Sequence, residues 1–445
     1  MKVRVPRWSA PNFLHTGARS NILRAALAFA VCTLGPGALG QPLAPYLPPG
    51  VPGFDMQRGV TVLTRERPLF ENLGLHAGDF LVHADAGQSV GEDTDVTGQA
   101  AGPSSAVART DASVLAGALW SQAQLGLAAD VGENVFGSLP GQDRTDYAVA
   151  AGAGAAVGQQ VLGVGYAHRL VFQTGNDIGQ LRADAPVREE VDDARASDRV
   201  ALGWGSLTPN LELSSERFGP ARVGGLSLPQ AFRDRDAVQA GVTGRSGPAD
   251  ERSLLLVLLG VASLHPDRPP GQPDYDQTGA LAMAGIDYPS GGVWRYQLLG
   301  GVERRAFRDS RFSTRVAPVA QAAAIWTPDG MTTVTAQLSR SIEDTSAEGS
   351  SGAVYTTARA VLDHEYLRNV LLQARVRLQS AAFAQAGGTQ TGAGAGAGAT
   401  WLVDRHVRVS LNYDFSAQSG GAPAASGGSA RVERHLLLLA VRWGL

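Results

Sequence analysis

From about residue 79 to the C-terminus, apolar and polar residues alternate with a period of two. In 406–415 the apolar set is Val407, Val409, Leu411, Tyr413 and Phe415, while His406, Arg408, Ser410, Asn412 and Asp414 take the other positions. A helix would mix these sets, whereas a strand puts them on opposite faces. The same alternation sets Val370, Leu372, Ala374, Val376 and Leu378 against Gln373, Arg375, Arg377 and Gln379, and Trp294, Tyr296, Leu298 and Val302 against Arg295, Gln297, Glu303 and Arg305. It also opposes Val354, Thr356, Ala358, Ala360 and Leu362 to Tyr355, Thr357, Arg359 and Asp363. Such strands run about 10–14 residues, longer than the ~5–6 of globular sheets and long enough for a tilted bilayer crossing.

The breaks between strands alternate in length. Tight turns are expected near Trp120-Ser121-Gln122, Gly158-Gln159, Ser206-Leu207-Thr208, Gly247-Pro248, Ser290-Gly291-Gly292, Pro328-Asp329-Gly330, Leu367-Arg368-Asn369 and Val403-Asp404-Arg405. Longer polar stretches include 91–109, 176–190, 266–277, 343–352 and 416–429. Short turns at one end and long loops at the other predict an all-β fold, a transmembrane antiparallel up-and-down β-barrel with periplasmic turns and outer loops. Eight turns and nine loops give about 18 strands, with 16 as the alternative count. The most apolar run, 254–264, spans 11 residues against the ~20 that a membrane helix needs, and reads as one buried or lipid-facing strand.

Aromatic residues sort by type. Trp120, Trp204, Trp294, Trp326, Trp401 and Trp443 lie next to a tight turn or the C-terminus and predict a periplasmic-side girdle. Phe136, Phe172, Phe218, Phe232, Phe307, Phe312, Phe383 and Phe415 lie near the long loops and predict a second girdle there. With these rings toward lipid, the opposite parity faces the lumen: Arg169, Arg195, Arg199, Arg295, Glu303, Arg305, Arg359, Asp363, Arg375, Arg377, Arg408 and Asp414. So many charges require a wet interior, internal pairing, or both. The arginines read first as a ladder paired with acids that stiffens the wall, and second as guides for anionic solutes or sugars. Gly152, Gly154, Gly392, Gly394, Gly396 and Gly398 fall on the same lumenal parity, leaving a wall against which a polymer, loop or plug can lie. The acidic pairs Glu92-Asp93, Glu189-Glu190 and Asp192-Asp193 read as solvated charge at the outer loops or their edges, with divalent-cation binding among lipopolysaccharide heads as the alternative.

The N-terminus has a different character. Residues 1–24 carry Lys2, Arg4, Arg7, Arg19 and Arg24 and no acid; 25–34 is apolar, and Ala38-Leu39-Gly40 is a small-x-small site. Residues 1–40 therefore read as a signal peptide cleaved near Gly40. Residues 41–78 form a Pro-rich periplasmic linker and N-terminal segment, and 79–445 the barrel. The exported chain holds 33 arginines against 41 acids, with no lysine and no cysteine. A Walker loop, a lysine Schiff base and a thiolate metal centre are thereby excluded. No HExxH or other metal-ligand spacing occurs, so no enzyme, cofactor or resident metal is expected. A negative chain without a basic tail gives no nucleic-acid footprint.

The segment 59–82 (GVTVLTRERPLFENLGLHAGDFLV) places Arg67-Pro68 before an aromatic, then Leu73-Gly74 and Gly78 to Leu81 at the barrel entry. In this it resembles the "Putative beta-barrel porin 2" family. The resemblance implies a bacterial outer-membrane barrel, associated in many members with exopolysaccharide export. A water-filled conduit for such export is the first functional expectation. A diffusion porin for small solutes and a loop-occluded structural or adhesive barrel are the alternatives. The expected partners are outer-membrane lipid and lipopolysaccharide, the barrel insertion machinery and, for export, periplasmic polysaccharide-export proteins.

Overall fold

A computed structural model describes residues 61–445 apart from 64, 66, 248–250, 267–270, 291–292, 347–348, 385–387 and 421–430. The expected signal peptide, its cleavage site and the Pro-rich stretch 41–59 lie outside the described residues. The strands are β1 (Leu75–Ala77), β2 (Phe80–Asp93), β3 (Ser105–Leu119), β4 (Ala123–Phe136), β5 (Arg144–Val157), β6 (Gln160–Gln173), β7 (Val187–Leu202), β8 (Gly205–Phe218), β9 (Ala221–Val223), β10 (Leu226–Leu228), β11 (Arg235–Ser246), β12 (Ser253–Leu264), β13 (Gln277–Ser290), β14 (Trp294–Phe307), β15 (Arg315–Asp329), β16 (Thr332–Glu343), β17 (Ala353–Leu367), β18 (Val370–Phe383), β19 (Thr389–Leu402), β20 (Val407–Ser419) and β21 (Val432–Gly444).

Eighteen of these are long and pair antiparallel with their neighbours in one closed ring. The ring shuts where β2 pairs with both β3 and β21, Val90 lying opposite Ala108 on one side and Leu439 on the other. β8 pairs directly with β11, so the small ribbon of β9 and β10 stands outside the wall. Closure leaves no unpaired edge, as a sheet in hydrocarbon requires.

Alternation decides what each face meets. On β21, Leu437, Leu439, Val441 and Trp443 are exposed, while Arg434 and Arg442 point inward to acids on β2 and β3. The exposed apolar set continues round the ring through Val149, Val164, Leu211, Leu258, Val302, Val376 and Leu411. A belt of that extent far exceeds the few hundred Å² of apolar patch a soluble monomer carries, so it belongs against lipid. The six tryptophans lie at the turn rim, each 36–56% exposed, and Trp294 stacks on Trp326 across the strand pair.

Several expectations need correction. Ser206-Leu207-Thr208 is strand, and the turn is made by Gly203-Trp204; a Cβ on Gly205 would lie 2.0 Å from the Arg245 carbonyl, so only glycine fits there. The loop expected over 176–190 spans 174–186, and the acidic run 189–193 lies in the first residues of strand β7, at that loop's edge. There is no phenylalanine girdle at the loop rim. Phe172 and Phe415 take outward positions, but Phe136, Phe218, Phe307 and Phe383 point inward, and Phe232 and Phe312 are buried in loops. Long loops need an apolar seat, and a phenyl ring has no polar tip to hold it at a headgroup boundary. The tyrosines Tyr147, Tyr166 and Tyr413 are exposed on the outer face of the wall. Nor is the inner wall wet throughout. β12 is apolar on both faces, and its Leu255 and Val257 are buried with Met283, Leu299 and Val319 in a dry sector of β12–β15.

The segment before the barrel is docked. Val62 donates its backbone N–H to Thr333 Oγ1 at 3.0 Å, and Arg67 donates to Glu365 Oε2 at 2.7 Å and to the Val62 carbonyl. Arg65 donates to the Gly330 carbonyl and sits 3.4 Å from Glu365. The chain then returns to β1 and β2, so residues 61–79 run along the turn rim from β16–β17 to the β2–β21 closure.

Candidate functional site: the constriction of the lumen

Two of the long loops fold inward. The first, 174–186, leaves β6 and reaches the wall of β17–β20, close to the opposite side of the ring. Ile178 packs there with Ala353, Ala381 and Phe383. It can do so because β19 presents bare backbone: a Cβ on Gly392 would lie 2.4 Å from Ile178. Gly179 donates its N–H to Gln390 Oε1 at 2.8 Å, and the Asn176 carbonyl accepts from Gln418. Gly179 has a φ of 81°, and a Cβ on it would fall 1.7 Å from the Tyr355 hydroxyl. No residue with a side chain satisfies both demands.

The second loop, 344–352, crosses the other way, from β16 toward β8, β11, β13 and β14. Its anchor is Asp344, which accepts from Arg235, from Arg305 at 3.1 Å and from Gln277 at 3.2 Å. Arg235 is shared with Glu216 at 2.6 Å. Burial pushes the Asp344 carboxyl up, but Arg235 and Arg305 outweigh it and hold the group well below the usual carboxylate range. Gly349 donates to Tyr275 Oη at 2.8 Å, tying this loop to the 265–276 loop. The two infolded loops then meet: Ser346 Oγ donates to the Gly179 carbonyl at 3.1 Å, with Thr345 Oγ1 at 3.5 Å. That meeting point is the constriction.

Beside it lies a cavity of about 680 Å³ walled by β3–β8 and β11–β14. Its lining interleaves Arg109, Arg144, Arg169, Arg233, Arg235, Arg305 and Arg442 with Asp111, Asp130, Asp146, Glu189, Glu212, Glu216 and Glu303. Arg233, on the 219–234 loop, stacks 3.9 Å over the Phe218 ring and donates to Gln173 and Gln180, joining the cavity to the first infolded loop. Burial lowers the affinity of this guanidinium for its proton, opposed by Glu189 and Glu216.

The twelve charged residues expected in the lumen all take inward positions, and most are engaged with a neighbour. Arg169 pairs with Asp193 at 3.4 Å, Arg195 with Glu212 at 2.9 Å, Arg295 with Asp287 at 4.0 Å, and Arg305 with Glu303 at 2.7 Å. Arg375 is bidentate to Asp414, at 2.8 and 2.6 Å. Arg408 stands 3.8 Å from Asp85, Arg359 donates to Gln337, and Asp363 accepts from Gln373. Arg199 has Arg245 as its charged neighbour, and Arg377 stands opposite Arg359 in register. Only Arg169, Glu303 and Arg305 of the twelve line the cavity. The local sequence gives little sign of the constriction residues Gly179, Tyr355, Gln390, Thr345, Ser346 and Asp344. The available signal was an apolar Ile178 between glycines inside an otherwise polar loop. Among the described residues, His168, Glu190 and Asp192 form a group able to hold a metal ion, on the outer face of the wall.

A family model described as "Putative beta-barrel porin 2" matches residues 67–436. Among solved structures, the chain is similar to OccK2 (OpdF) of Pseudomonas aeruginosa, at 14% identity and TM-score 0.45, covering 82% of this chain and 98% of that one. It is similar also to the FrpB iron transporter of Neisseria meningitidis (F5-1 variant), at 9% identity and TM-score 0.42, covering 84% and 83%. No curated protein matches.

Proposed function

The chain belongs to the "Putative beta-barrel porin 2" family, and from that premise we propose that it is a bacterial outer-membrane pore admitting small polar solutes by passive diffusion through a loop-built constriction. The observation that carries this reading is the meeting of the two infolded loops at Gly179, Thr345 and Ser346 inside an 18-strand ring. A ring of that strand number is wide enough for an aqueous channel, so loops rather than wall side chains set its bore. The adjoining cavity of about 680 Å³ would hold roughly two dozen waters at ~30 Å³ each. That scale suits a solute of a few sugar or amino-acid units and leaves little room for a polymer with its hydration shell. Interleaved arginines and carboxylates offer partners to solutes bearing hydroxyls or both signs of charge.

Export of exopolysaccharide, which the family resemblance implied, would require the loops to withdraw, and no feature of the constriction favours that. On the diffusion reading the protein is exported on its N-terminal signal, inserted by the barrel machinery, and needs no periplasmic export partner.

Liposome swelling with sugars of increasing length tests the proposal. Mono- and disaccharides should enter and longer oligosaccharides should not. Gly179→Val, which cannot keep the loop against Tyr355, should raise the size limit and the single-channel conductance while the barrel stays folded. A wild-type protein that passes long oligosaccharides as readily as glucose, or a Gly179→Val channel indistinguishable from it, would overturn the assignment.

A further inference from the structure

The acidic run in β7 is divided by the alternation of the strand. Glu189 and Asp193 point into the lumen, whereas Glu190 and Asp192 point outward. On the outer face Asp192 lies directly opposite His168 of β6, and His168 Nδ1 is 2.9 Å from Asp192 Oδ1. One ligand atom from each of His168, Glu190 and Asp192 can be chosen so that all lie within 4.8 Å of one another. Two tyrosines hold the group: Tyr166 Oη donates to Asp192, and Tyr147 Oη is 3.2 Å from His168 Nε2.

The place of this cluster separates it from ordinary surface charge. It lies in the loop-side half of β6 and β7 on the outer face, in register with Val149 and beside the exposed Val164 and Leu213, with Tyr147 and Tyr166 exposed around it. The headgroups it faces in an outer leaflet are phosphorylated. Carboxylates held against anionic headgroups are repelled unless a cation lies between them. Two arginines stand nearby: Arg188 takes one oxygen of Glu190, Oε2, at 2.8 Å and leaves the other to a ligand, and Arg217 is paired with Asp236 at 2.8 Å.

We propose that His168, Glu190 and Asp192 form a divalent metal site on the lipid-facing wall, selective for a borderline ion of the zinc class, with its remaining coordination positions open to water or a lipid phosphate. An imidazole with two carboxylates is a donor set for zinc, whereas calcium and magnesium take oxygen ligands. Tetrahedral bonds of ~2.1 Å set ligand atoms ~3.4 Å apart. The His168–Asp192 pair needs to open slightly, and the long Glu190 side chain supplies the rest of the closure. Hydrogen-bonded outer partners that fix ring and carboxylate orientation are what a metal ligand requires, and the two tyrosines fill that role.

The test is calorimetric titration of the folded full barrel, in detergent and freed of metal by chelation, with zinc, calcium and magnesium chlorides. Wild-type protein should take up one zinc ion at this site with calcium and magnesium far weaker. Asp192→Asn and His168→Gln should each lower zinc affinity more than ~10-fold. Asp192→Glu should restore part of it, and His435→Gln should change nothing. Pore conductance should be the same in all variants, which also serves as the check on folding. Equal zinc affinity in wild type, Asp192→Asn and His168→Gln would overturn the proposal, as would magnesium or calcium binding here as tightly as zinc.

Discussion

Arg375 and Asp414 stand on β18 and β20, which are not neighbours; β19 runs between them, with Gly396 in register with both. Their bidentate pair passes over this residue, because a Cβ there would lie 2.6 Å from Arg375 Nε and from Asp414 Oδ1. The glycine stripe of β19 thus has two uses, as bare floor for an ion pair at 396 and as the seat of Ile178 at 392. Gly396→Val should sever the pair and cost about 1.5–3 kcal/mol, the usual worth of a charge-assisted hydrogen bond, read as a lowered urea midpoint of the lipid-reconstituted barrel. Substitution of Arg375 by Glu would be worse, setting a second carboxylate beside Asp414, so Arg377 is the cleaner position at which to ask about ion selectivity. Parity alone made the inward direction of these residues legible in the sequence. What parity could not supply was pairing across two strands, or the approach of Gly179 to Tyr355, because both depend on which strands the closed ring brings face to face.

At the scale of elements, strands and turns were far more legible than loops. A two-residue period is written locally, whereas a loop's docking site is written on remote strands. The alternation of eight trimmed ends with nine elaborated ends is therefore found as expected, the β7–β8 turn displaced by a few residues, while the inward path of 174–186 and 344–352 is not foreseeable from their polar composition. The misassigned phenylalanines are the same lesson: Phe232 and Phe312, with Tyr275, form a small core beneath infolded loops, not a membrane girdle. His265 borders that core, 5.8 Å from the Tyr275 ring and 3.8 Å from Asp276. Burial lowers its pKa below the ordinary 6.5, with Asp344 opposing. A group whose proton affinity is depressed in the docked state binds protons more readily once undocked. Loop docking is therefore at full strength above about pH 6.5 and weakens as pH falls from there toward the docked pKa. Single-channel conductance should rise or become noisy on acidification through this window, and His265→Asn should flatten that dependence. A wild-type trace unaltered by acid would dissociate His265 from loop docking.

For the whole molecule, the fold follows from two facts visible in the sequence: period-two alternation over some 360 residues and strands long enough to cross a bilayer obliquely. The state of the two mouths does not follow from either. At the loop rim the bore is narrowed by infolded loops, and at the turn rim the segment from Thr61 onward is fastened inside the wall. The family-like Arg67 is the fastener. Its side chain and that of Glu365 are only 6% and 3% exposed, and Glu365 also faces Arg65 and Arg368. Removing one member of such a pair leaves the other charge buried and uncompensated, at a cost of about 3–5 kcal/mol. That is enough to loosen a segment tied to the wall otherwise by Val62 on Thr333 and Arg65 on the Gly330 carbonyl, yet it leaves the strand ladder of β16 and β17 intact, since those twelve pairings do not involve the segment. Glu365→Gln should therefore make residues 61–72 cleavable by added protease in the reconstituted protein and enlarge conductance. The heat-resistant migration of the folded barrel should be unchanged. If the segment stays protected in this variant, the Arg67–Glu365 pair is not what holds it, and the turn-side mouth owes its shape to the wall alone.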